Sequence, residues 1–188
     1  ELSGVQEDDQ VATELVGQHH GRIFCRPGHP VLAAGRVALP ALLEFPWMAS
    51  RIPARIAAGL PRAVGCAGKI DALSGDFIPA ITIDVPMQIA DLLAGSDILA
   101  LATLALMERD LDAGNVAVVP TGKVAFQAGY GFIYLKDRSL TPAALAYMQE
   151  VRAVEKDIVE REEVLARRYG DGRANPRGTA AEGWFRYS

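Results

Sequence analysis

The amino-acid sequence predicts an α/β fold with a parallel-dominated mixed sheet flanked by helices. Three observations carry this prediction. Residues 81–83 form a β-branched run that suits a buried strand. Residues 98–102 form a continuous apolar run, which is typical of a strand covered on both faces. The segment between them has apolar residues at three- and four-residue spacing and ends at Gly95, which predicts a crossover helix and therefore one βαβ unit.

Length, composition and charge limit the possible functions. The 188 residues can hold one large domain or two small lobes, and the 50% of apolar residues predicts a globular protein. The net charge of -4 and the scattered basic residues argue against a nucleic-acid surface. Aspartates interrupt the longest apolar region, residues 77–107, so it cannot be a membrane span. Cys25 and Cys66 lack metal-ligand spacing, which predicts free thiols in a reducing cytoplasm.

Before the βαβ unit, the sequence pattern predicts short elements joined by turns. Residues 1–10 are polar and acidic, which indicates a lead-in loop. The adjacent His19 and His20 have no third ligand at useful spacing, so we interpret them as solvent-exposed loop residues. The elements that follow are a strand at 22–25, a turn at 26–30, a short amphipathic helix at 37–44, a strand at 45–49, a helix at 55–59, and a Gly-, Ala- and Ser-rich loop at 61–76 with at most one short helix.

The residues after the βαβ unit predict two strands and two helices. Thr141 as cap and Pro142 at the first position begin a long helix that runs to about Tyr169, and residues 170–188 predict a mobile tail. The other elements are a helix at 104–113 stopped by Gly114, a strand at 116–119, a turn at 120–122 and a strand at 130–135. The long helix carries a predicted apolar stripe of Tyr147, Val151, Val154, Ile158 and Leu165, and predicted ion pairs Asp157–Arg161 and Glu163–Arg167.

Several segments, taken in order, resemble one protein family. Arg26-Pro-Gly-His-Pro-Val31 resembles the family element RPGHPL, and Leu39-Pro-Ala-Leu-Leu-Glu-Phe-Pro-Trp47 resembles L-x-x-L-x-x-F-P-W. Leu92-Leu-Ala-Gly-Ser-Asp-Ile-Leu-Ala-Leu101 stands where the family has LVAAGLGIALLP. Tyr130-Gly-Phe-Ile-Tyr134, with the Leu-Thr-Pro-Ala-Ala segment after it, resembles the closing YGLIWR and LSPAA elements. Over about residues 11–152 the chain therefore resembles the effector-binding domain of LysR-type transcriptional regulators.

The resemblance implies a periplasmic-binding-protein-like fold of two lobes with a small-molecule effector in the cleft between them. Residues 1–14 would be a lead-in from the first lobe, residues 15–125 the second, Rossmann-like lobe, and residues 126–169 the last strand and helix of the first lobe. The resemblance also implies a homodimer or homotetramer that contacts DNA only through an N-terminal domain absent here. We therefore interpret the chain as a fragment that carries one half of the effector cleft.

The first candidate site residues lie at the ends of the βαβ strands. In open parallel sheets, ligands gather at the carboxyl ends of strands beside helix N-termini, which indicates Thr82, Asp84, Val85 and Thr103. Asp84 is a helix cap in its simplest interpretation, while the backbone N–H groups of Val85 and of residues 87–88 could hold an anion. Because Asp84 would repel a carboxylate but accept a hydroxyl or amine, the predicted effector is polyol, sugar-like or amino-bearing.

The resemblance adds four further candidates. Ser50 and Arg51 follow a predicted strand at a position where the family places effector contacts, and Arg51 either clamps a carboxylate or is a solvated surface residue. Arg26 and His29 follow the predicted first strand, and the Gly-His-Pro context favours a structural role for His29. Thr103 stands where the family has proline, so its hydroxyl would bond either to effector or to backbone.

The predicted function is ligand sensing by a cytoplasmic LysR-type regulator. A ligand that touches both lobes would shift the population toward a closed cleft and so change how an oligomer presents its DNA-binding helices. No catalytic residue, metal site or cofactor is predicted, because no convincing catalytic constellation or phosphate loop is found. The alternatives are a solute-binding protein or dehydratase-type enzyme on the same fold, and an interaction module that uses the long helix as a dimer seam.

Overall fold

The computed structural model describes residues 10–83, 89–121 and 126–169, apart from the side chains of Ala34 and Ala128. Asp84, Val85, the predicted first turn after them and the predicted tail at 170–188 lie outside these residues. The elements are β1 Val11–Cys25, α1 Leu39–Leu42, β2 Trp47–Ala49, α2 Ala54–Ala57, β3 Gly68–Ile70, β4 Phe77–Pro79, β5 Ile81–Thr82, α3 Ile89–Ala94, β6 Leu99–Ala102, α4 Leu104–Ala113, β7 Ala117–Val118, β8 Phe126–Leu135 and α5 Pro142–Tyr169. Short 3-10 helices lie at Pro30–Ala34 and Gly65–Ala67.

The described strands form a mixed sheet in the order β5, β2, β6, β1 and β7, with β8 also paired to β1. Strands β5 and β6 are both parallel to β2, which lies between them. Strand β1 is antiparallel to β6, β7 and β8. The predicted α/β fold with a mixed sheet is confirmed, and α3 lies between β5 and β6 in the chain as the βαβ prediction requires. The parallel part is limited to β5, β2 and β6, because β1 runs against each of its three neighbours.

The central strands are buried because apolar side chains alternate between two cores. Successive residues of a strand point to opposite faces of the sheet. Ile23, Trp47 and Leu99 accordingly belong to one buried cluster, and their neighbours Phe24, Met48 and Ala100 belong to the other. The second cluster also contains apolar residues of α3, α4 and α5. The continuous apolar runs of the sequence are therefore explained by burial on both faces.

Helix α4 has the predicted bounds because both of its ends carry clear local signals. The Thr103 hydroxyl accepts a hydrogen bond from the backbone N–H of Leu106 at 3.3 Å, as an N-cap does. At the other end Gly114 adopts a left-handed conformation with φ of 73°, which glycine adopts without steric cost. The cap that the sequence predicts for α5 is also present, because Thr141 Oγ1 accepts from Ala144 N at 3.2 Å.

The first strand is much longer than the sequence analysis predicted. Strand β1 spans Val11–Cys25 rather than residues 22–25, and its residues 11–21 pair with β8 in a long antiparallel ribbon, the β1–β8 ribbon. Strand β8 correspondingly begins at Phe126 rather than at residue 130. His19 and His20 thus lie in a strand rather than on a loop, and His19 is only partly exposed. The strand was missed because non-local pairing with β8 stabilises a stretch of mixed polarity.

Two further corrections concern the middle of the chain and the last helix. Strand β3 lies within the loop predicted at 61–76 and pairs with β4, which follows that loop, since the backbone of the Gly-rich segment finds partners across a hairpin. On α5, Tyr147 and Val154 of the predicted stripe are 67% and 55% exposed, whereas Met148, Glu155 and Leu165 are buried. The predicted stripe is therefore wrong in part, because a carboxylate occupies a buried position of the helix.

One of the two ion pairs predicted within α5 is present. Arg167 and Glu163 lie 3.9 Å apart, four residues from each other along the helix. Arg161 instead pairs with Glu108 of α4, so the predicted pair with Asp157 is replaced by a contact between helices. The contact with α4 holds the C-terminal half of α5 beside the buried cluster that contains Leu165.

Candidate functional site

The carboxyl ends of the three parallel strands meet at one edge of the sheet, which we call the carboxyl edge. Strand β2 ends at Ala49, β5 at Thr82 and β6 at Ala102. The backbone N–H of Ile83 donates to the carbonyl oxygen of Ala49 at 3.1 Å, so the chains leaving β2 and β5 stay in contact. Ser50 then donates its hydroxyl to the carbonyl oxygen of Ile83 at 3.3 Å. Ser50 and Thr82 are both exposed at this edge.

Thr103 lies at the same edge, directly after β6. Its side chain caps α4 through the bond to Leu106, so its hydroxyl oxygen already accepts from backbone. The first turn of α4 begins there, and backbone N–H groups at a helix start favour negative charge. The carboxyl edge therefore combines hydroxyl groups with a favourable place for an anionic group.

Arg22 is a residue of this edge that the sequence analysis missed. It lies in β1 opposite Ala102, the last residue of β6. Its Nε is buried and has no hydrogen-bond partner among the described residues. A buried donor without a partner costs free energy, which makes this side chain a candidate for binding an acceptor that approaches the edge. The sequence offered only a weak signal, an arginine at the start of an apolar run.

Arg51 is close to Ser50 in sequence but is engaged with the β3–β4 turn. Its Nε donates to Asp76 at 2.8 Å, and its Nη2 lies 3.4 Å from Asp71 and donates to Ser74 at 2.9 Å. A backbone hydrogen bond from Ala54 and the contact with Arg51 hold the pKa of Asp76 below its usual value. The Arg51 side chain is half exposed, so one side of the guanidinium remains accessible.

Arg26 and His29 lie at the opposite edge of the sheet. Arg26 follows the last residue of β1, and its Nη2 pairs at 2.7 Å with Asp97, which precedes β6. Because β1 is antiparallel to β6, the end of β1 meets the start of β6 rather than its carboxyl end. The structure therefore does not bring Arg26 and His29 together with Ser50, Thr82 or Thr103.

His29 forms contacts that shape the turn after β1. Its Nδ1 accepts a hydrogen bond from the backbone N–H of Val31 at 3.0 Å and caps the short helix Pro30–Ala34. Its ring packs edge-on against Phe45 at a centroid distance of 4.7 Å. The side chain is fully buried, and Nε2 lies 3.9 Å from Asp97 Oδ1.

The two cysteines are free thiols, and the described residues contain no metal-binding group. No group of three or more His, Cys, Asp or Glu side chains in residues 10–83, 89–121 and 126–169 is arranged to hold a metal ion. Burial raises the pKa of the Cys25 thiol to about 12, so this cysteine is a protonated core residue at neutral pH. Cys66 is an exposed free thiol. Within the described part of the chain, no helix is long and apolar enough to cross a membrane.

Replacing Thr103 with valine is expected to lower the free energy of unfolding by about 1 kcal/mol. Valine keeps the shape of the side chain but cannot accept the hydrogen bond from Leu106. Urea denaturation followed by circular dichroism measures the change. Thr103→Ser is the control and should retain most of the stability, because serine caps helices equally well. Equal losses in both variants would contradict the capping role.

Comparison with known protein sequences identifies a matching family model and a curated relative. The family model for the LysR substrate binding domain matches residues 2–156. The chain is 32% identical over 146 residues to the SDS degradation transcriptional activation protein of Pseudomonas sp. strain ATCC 19151. That alignment covers 76% of this chain and 45% of the relative, so the chain spans less than half the length of this curated relative.

Solved structures of low sequence identity share the fold. The effector domain of AmpR from Pseudomonas aeruginosa is 20% identical, with a TM-score of 0.54 over 87% of this chain and 73% of that chain. The regulatory domain of MetR from Neisseria meningitidis is 13% identical, with a TM-score of 0.57 over 84% and 69% of the two chains. A hydrogen-peroxide-bound OxyR mutant of Corynebacterium glutamicum is 13% identical, with a TM-score of 0.57 over 88% and 52%. The periplasmic-binding-protein-like fold that the sequence implied is confirmed.

Proposed function

The chain belongs to the LysR substrate-binding domain family, the effector-binding part of LysR-type transcriptional regulators, and we propose that it senses a small polar molecule at the carboxyl edge of its sheet. The observation that carries this proposal is the convergence of the ends of β2, β5 and β6 at one edge. Ligands of open α/β sheets gather at such edges. The whole regulator would be cytoplasmic, a homodimer or homotetramer, and would contact DNA through an N-terminal domain.

The proposed ligand contacts are the hydroxyl groups of Ser50 and Thr82, with Thr103 at the start of α4. Asp84 and Val85, which follow β5 in sequence, are proposed to continue this surface. Arg22 and the N-terminus of α4 would favour an acidic group on the ligand, whereas a carboxylate at Asp84 would favour hydroxyl or amino groups. A polar effector that carries both kinds of group fits this arrangement best.

The remaining sequence-predicted candidates, Arg51, Arg26 and His29, have different roles in this proposal. Arg51 would stand at the rim, where its accessible side could meet a ligand already bound at Ser50. Arg26 and His29 would support the turn after β1, because Arg26 pairs with Asp97 and the Nδ1 of His29 accepts a hydrogen bond from Val31. The proposal contains no catalytic step, in keeping with the regulatory roles in the names of the curated relative and the solved neighbours.

Ligand binding is expected to move the equilibrium between open and closed arrangements of the effector domain. A ligand shifts such an equilibrium only by its difference in affinity for the two arrangements. Contacts between subunits would then carry the change to the DNA-binding domains. The relative's name mentions SDS degradation, so alkyl sulfates and their parent alcohols belong among the ligands to be tested.

A thermal-shift screen tests the proposal with polyols, amino sugars, carboxylates, and dodecyl sulfate below its micelle concentration. A ligand present at a hundredfold excess over its Kd should raise the melting temperature by about 5–10 °C. Ser50→Ala should reduce this shift by weakening binding. Ser96→Ala is the matched control, because Ser96 lies before β6 at the opposite edge and bonds to Leu92.

Two outcomes would contradict the proposal. One is a ligand whose stabilisation is unchanged by Ser50→Ala and also by Arg22→Gln, since such a ligand binds elsewhere. The other comes from the coding sequence upstream of Glu1, where a secretory signal would favour a solute-binding protein. A helix-turn-helix there would support the regulator.

A further inference from the structure

Four polar side chains join helix α5 to the β1–β8 ribbon, and we call this cluster the His19 clasp. It consists of His19 on β1, Tyr130 on β8, and Glu155 and Glu162 on α5. His19 Nδ1 lies 3.0 Å from Glu162 Oε2, and His19 Nε2 lies 3.2 Å from Glu155 Oε2. The Tyr130 hydroxyl donates to the same Glu155 oxygen, and the Tyr130 ring stacks on His19 at a centroid distance of 5.6 Å.

The geometry requires a proton beyond those of a neutral histidine and two carboxylates. A neutral imidazole has one N–H group and one nitrogen lone pair. Because both nitrogens of His19 face carboxylate oxygens, a neutral ring would direct its lone pair at one of them. The imidazolium form has two N–H groups and satisfies both contacts. The clasp is therefore complete only when it holds this additional proton.

Among the described residues, the ion pairs of Glu155 and Glu162 are those with His19, and the arginines nearest to them in the chain have other partners or none. Arg152, one turn before Glu155 on α5, donates both Nε and Nη2 to Glu14 at 2.8 Å. Arg161, next to Glu162, pairs with Glu108 of α4. The buried Nε of Arg22, three residues after His19 on β1, has no hydrogen-bond partner within the described part of the chain. The charge of the cluster therefore depends on His19.

Burial makes the loss of that proton costly. Glu155 is 5% exposed, and one oxygen of Glu155 and one of Glu162 are buried without a hydrogen-bond partner. Two carboxylates left near a neutral ring in such a place repel each other more strongly than in water, because the local dielectric is low. Separation of α5 from the ribbon, which lets water reach the carboxylates, would relieve this repulsion.

We propose that the His19 clasp makes the docking of α5 on the β1–β8 ribbon depend on one proton, so that α5 loosens as the pH rises above neutrality. The effect would extend along the helix, since Leu165 packs in the same core as Leu104 and Met107 of α4. Helix α4 begins directly after Thr103 at the carboxyl edge. The clasp would thus connect pH to the carboxyl edge, where a ligand is proposed to bind. The proposal for the clasp depends only on the contacts between α5 and the β1–β8 ribbon.

The electrostatics agree in sign with this proposal. Burial lowers the pKa of His19, but hydrogen bonds and charges of Glu162 and Glu155 outweigh it, so the pKa of His19 is raised above its ordinary value. A group whose pKa is raised by folding stabilises the fold fully below its unfolded pKa, about 6.5 for histidine. That stability is lost as the pH rises through the folded pKa.

Amide hydrogen exchange of the 188-residue chain between about pH 6 and about pH 8.5 tests the clasp, after correction for the intrinsic pH dependence of exchange. The protection of α5 amides should fall with rising pH in the unmodified protein, and the melting temperature should fall by about 2–4 °C. His19→Gln should show weak protection of α5 at every pH. His20→Gln is the matched control and should behave as the unmodified protein, because His20 is the exposed neighbour on the same strand.

Glu162→Gln provides a variant that separates the proton from simple packing. The side-chain amide introduced by this substitution can donate to the unprotonated Nδ1 of a neutral His19, while Nε2–H still donates to Glu155. This variant should therefore keep α5 protected up to about pH 8.5 with little pH dependence. The proposal is overturned if α5 protection in the unmodified protein is constant with pH, or if Glu162→Gln retains the full pH dependence. Should His19→Gln fail to fold, the comparison of Glu162→Gln with the unmodified protein still decides.

Discussion

Replacing Trp47 with alanine is expected to lower the free energy of unfolding by about 3–5 kcal/mol, the largest effect we predict for a single substitution. Trp47 is 1% exposed, and its ring packs edge-on against Phe77 and Phe126 at centroid distances of 5.7 and 5.8 Å. Its indole Nε1 donates to the Leu42 carbonyl oxygen at 2.8 Å. The side chain thus joins α1, β2, β4 and the first residue of β8, and alanine would leave a cavity where these elements meet.

Urea denaturation followed by far-UV circular dichroism measures this loss as a decrease in the transition midpoint. Trp47→Phe should cost less than Trp47→Ala, because phenylalanine retains a ring but leaves the Leu42 carbonyl without its donor. Leu73→Ala is the control for an apolar truncation at the surface. Leu73 is 99% exposed, so its loss should stay within about 0.5 kcal/mol. A loss below about 1 kcal/mol for Trp47→Ala would show that this core is not as the structure describes it.

The parts of the fold that the sequence predicts correctly are those whose signals are local. Helix α4 is defined by a cap at Thr103 and a left-handed residue at Gly114, and both signals act within a few residues of the helix ends. Strands β2 and β6 can likewise be recognised from their apolar runs, because burial on both faces leaves no polar positions. Such features need no knowledge of distant segments.

The β1–β8 ribbon could not be predicted in this way because its stability comes from pairing across the chain. Residues 11–21 mix polar and apolar side chains, and their partners lie more than one hundred residues away in β8. The buried position of Glu155 on α5 has the same origin. A carboxylate would not be assigned to the buried face of a helix unless its partners on the ribbon were known.

The candidate site shows the same division between local and non-local information. The prediction that strand ends gather at one edge places Ser50, Thr82 and Thr103 together, and it depends only on the parallel order of short strands. Arg26 and His29 were grouped with them through a family motif, but antiparallel β1 carries them to the opposite edge. Arg22 came to the carboxyl edge for the same reason. The direction of one strand thus decides which arginine stands near the proposed ligand.

Replacing Gly17 with alanine is expected to destabilise the protein by about 2–4 kcal/mol, through the clasp rather than through backbone strain. A Cβ atom at Gly17 would lie 1.9 Å from Glu155 Oε1 and 2.9 Å from Tyr130 Cε1. Glu155 would have to move, and its Oε2 would lose the contacts with His19 and Tyr130. Gly95→Ala is the control, because a Cβ at Gly95 would meet no atom within 4 Å, and its cost should be below about 0.5 kcal/mol.

A double-mutant cycle separates the clash at Glu155 from any other effect of alanine at Gly17. If the damage comes from displacing the Glu155 carboxylate, then Gly17→Ala should cost little once Glu155→Ala has removed that group. The two losses measured by urea denaturation should therefore fall short of additivity by at least about 1 kcal/mol. Strict additivity would mean that the cost comes from the Tyr130 ring or from the bulge of β1 between Leu15 and Gly17 rather than from Glu155. The cycle thus tests whether the absence of a side chain at Gly17 is needed to accommodate the buried carboxylate of Glu155.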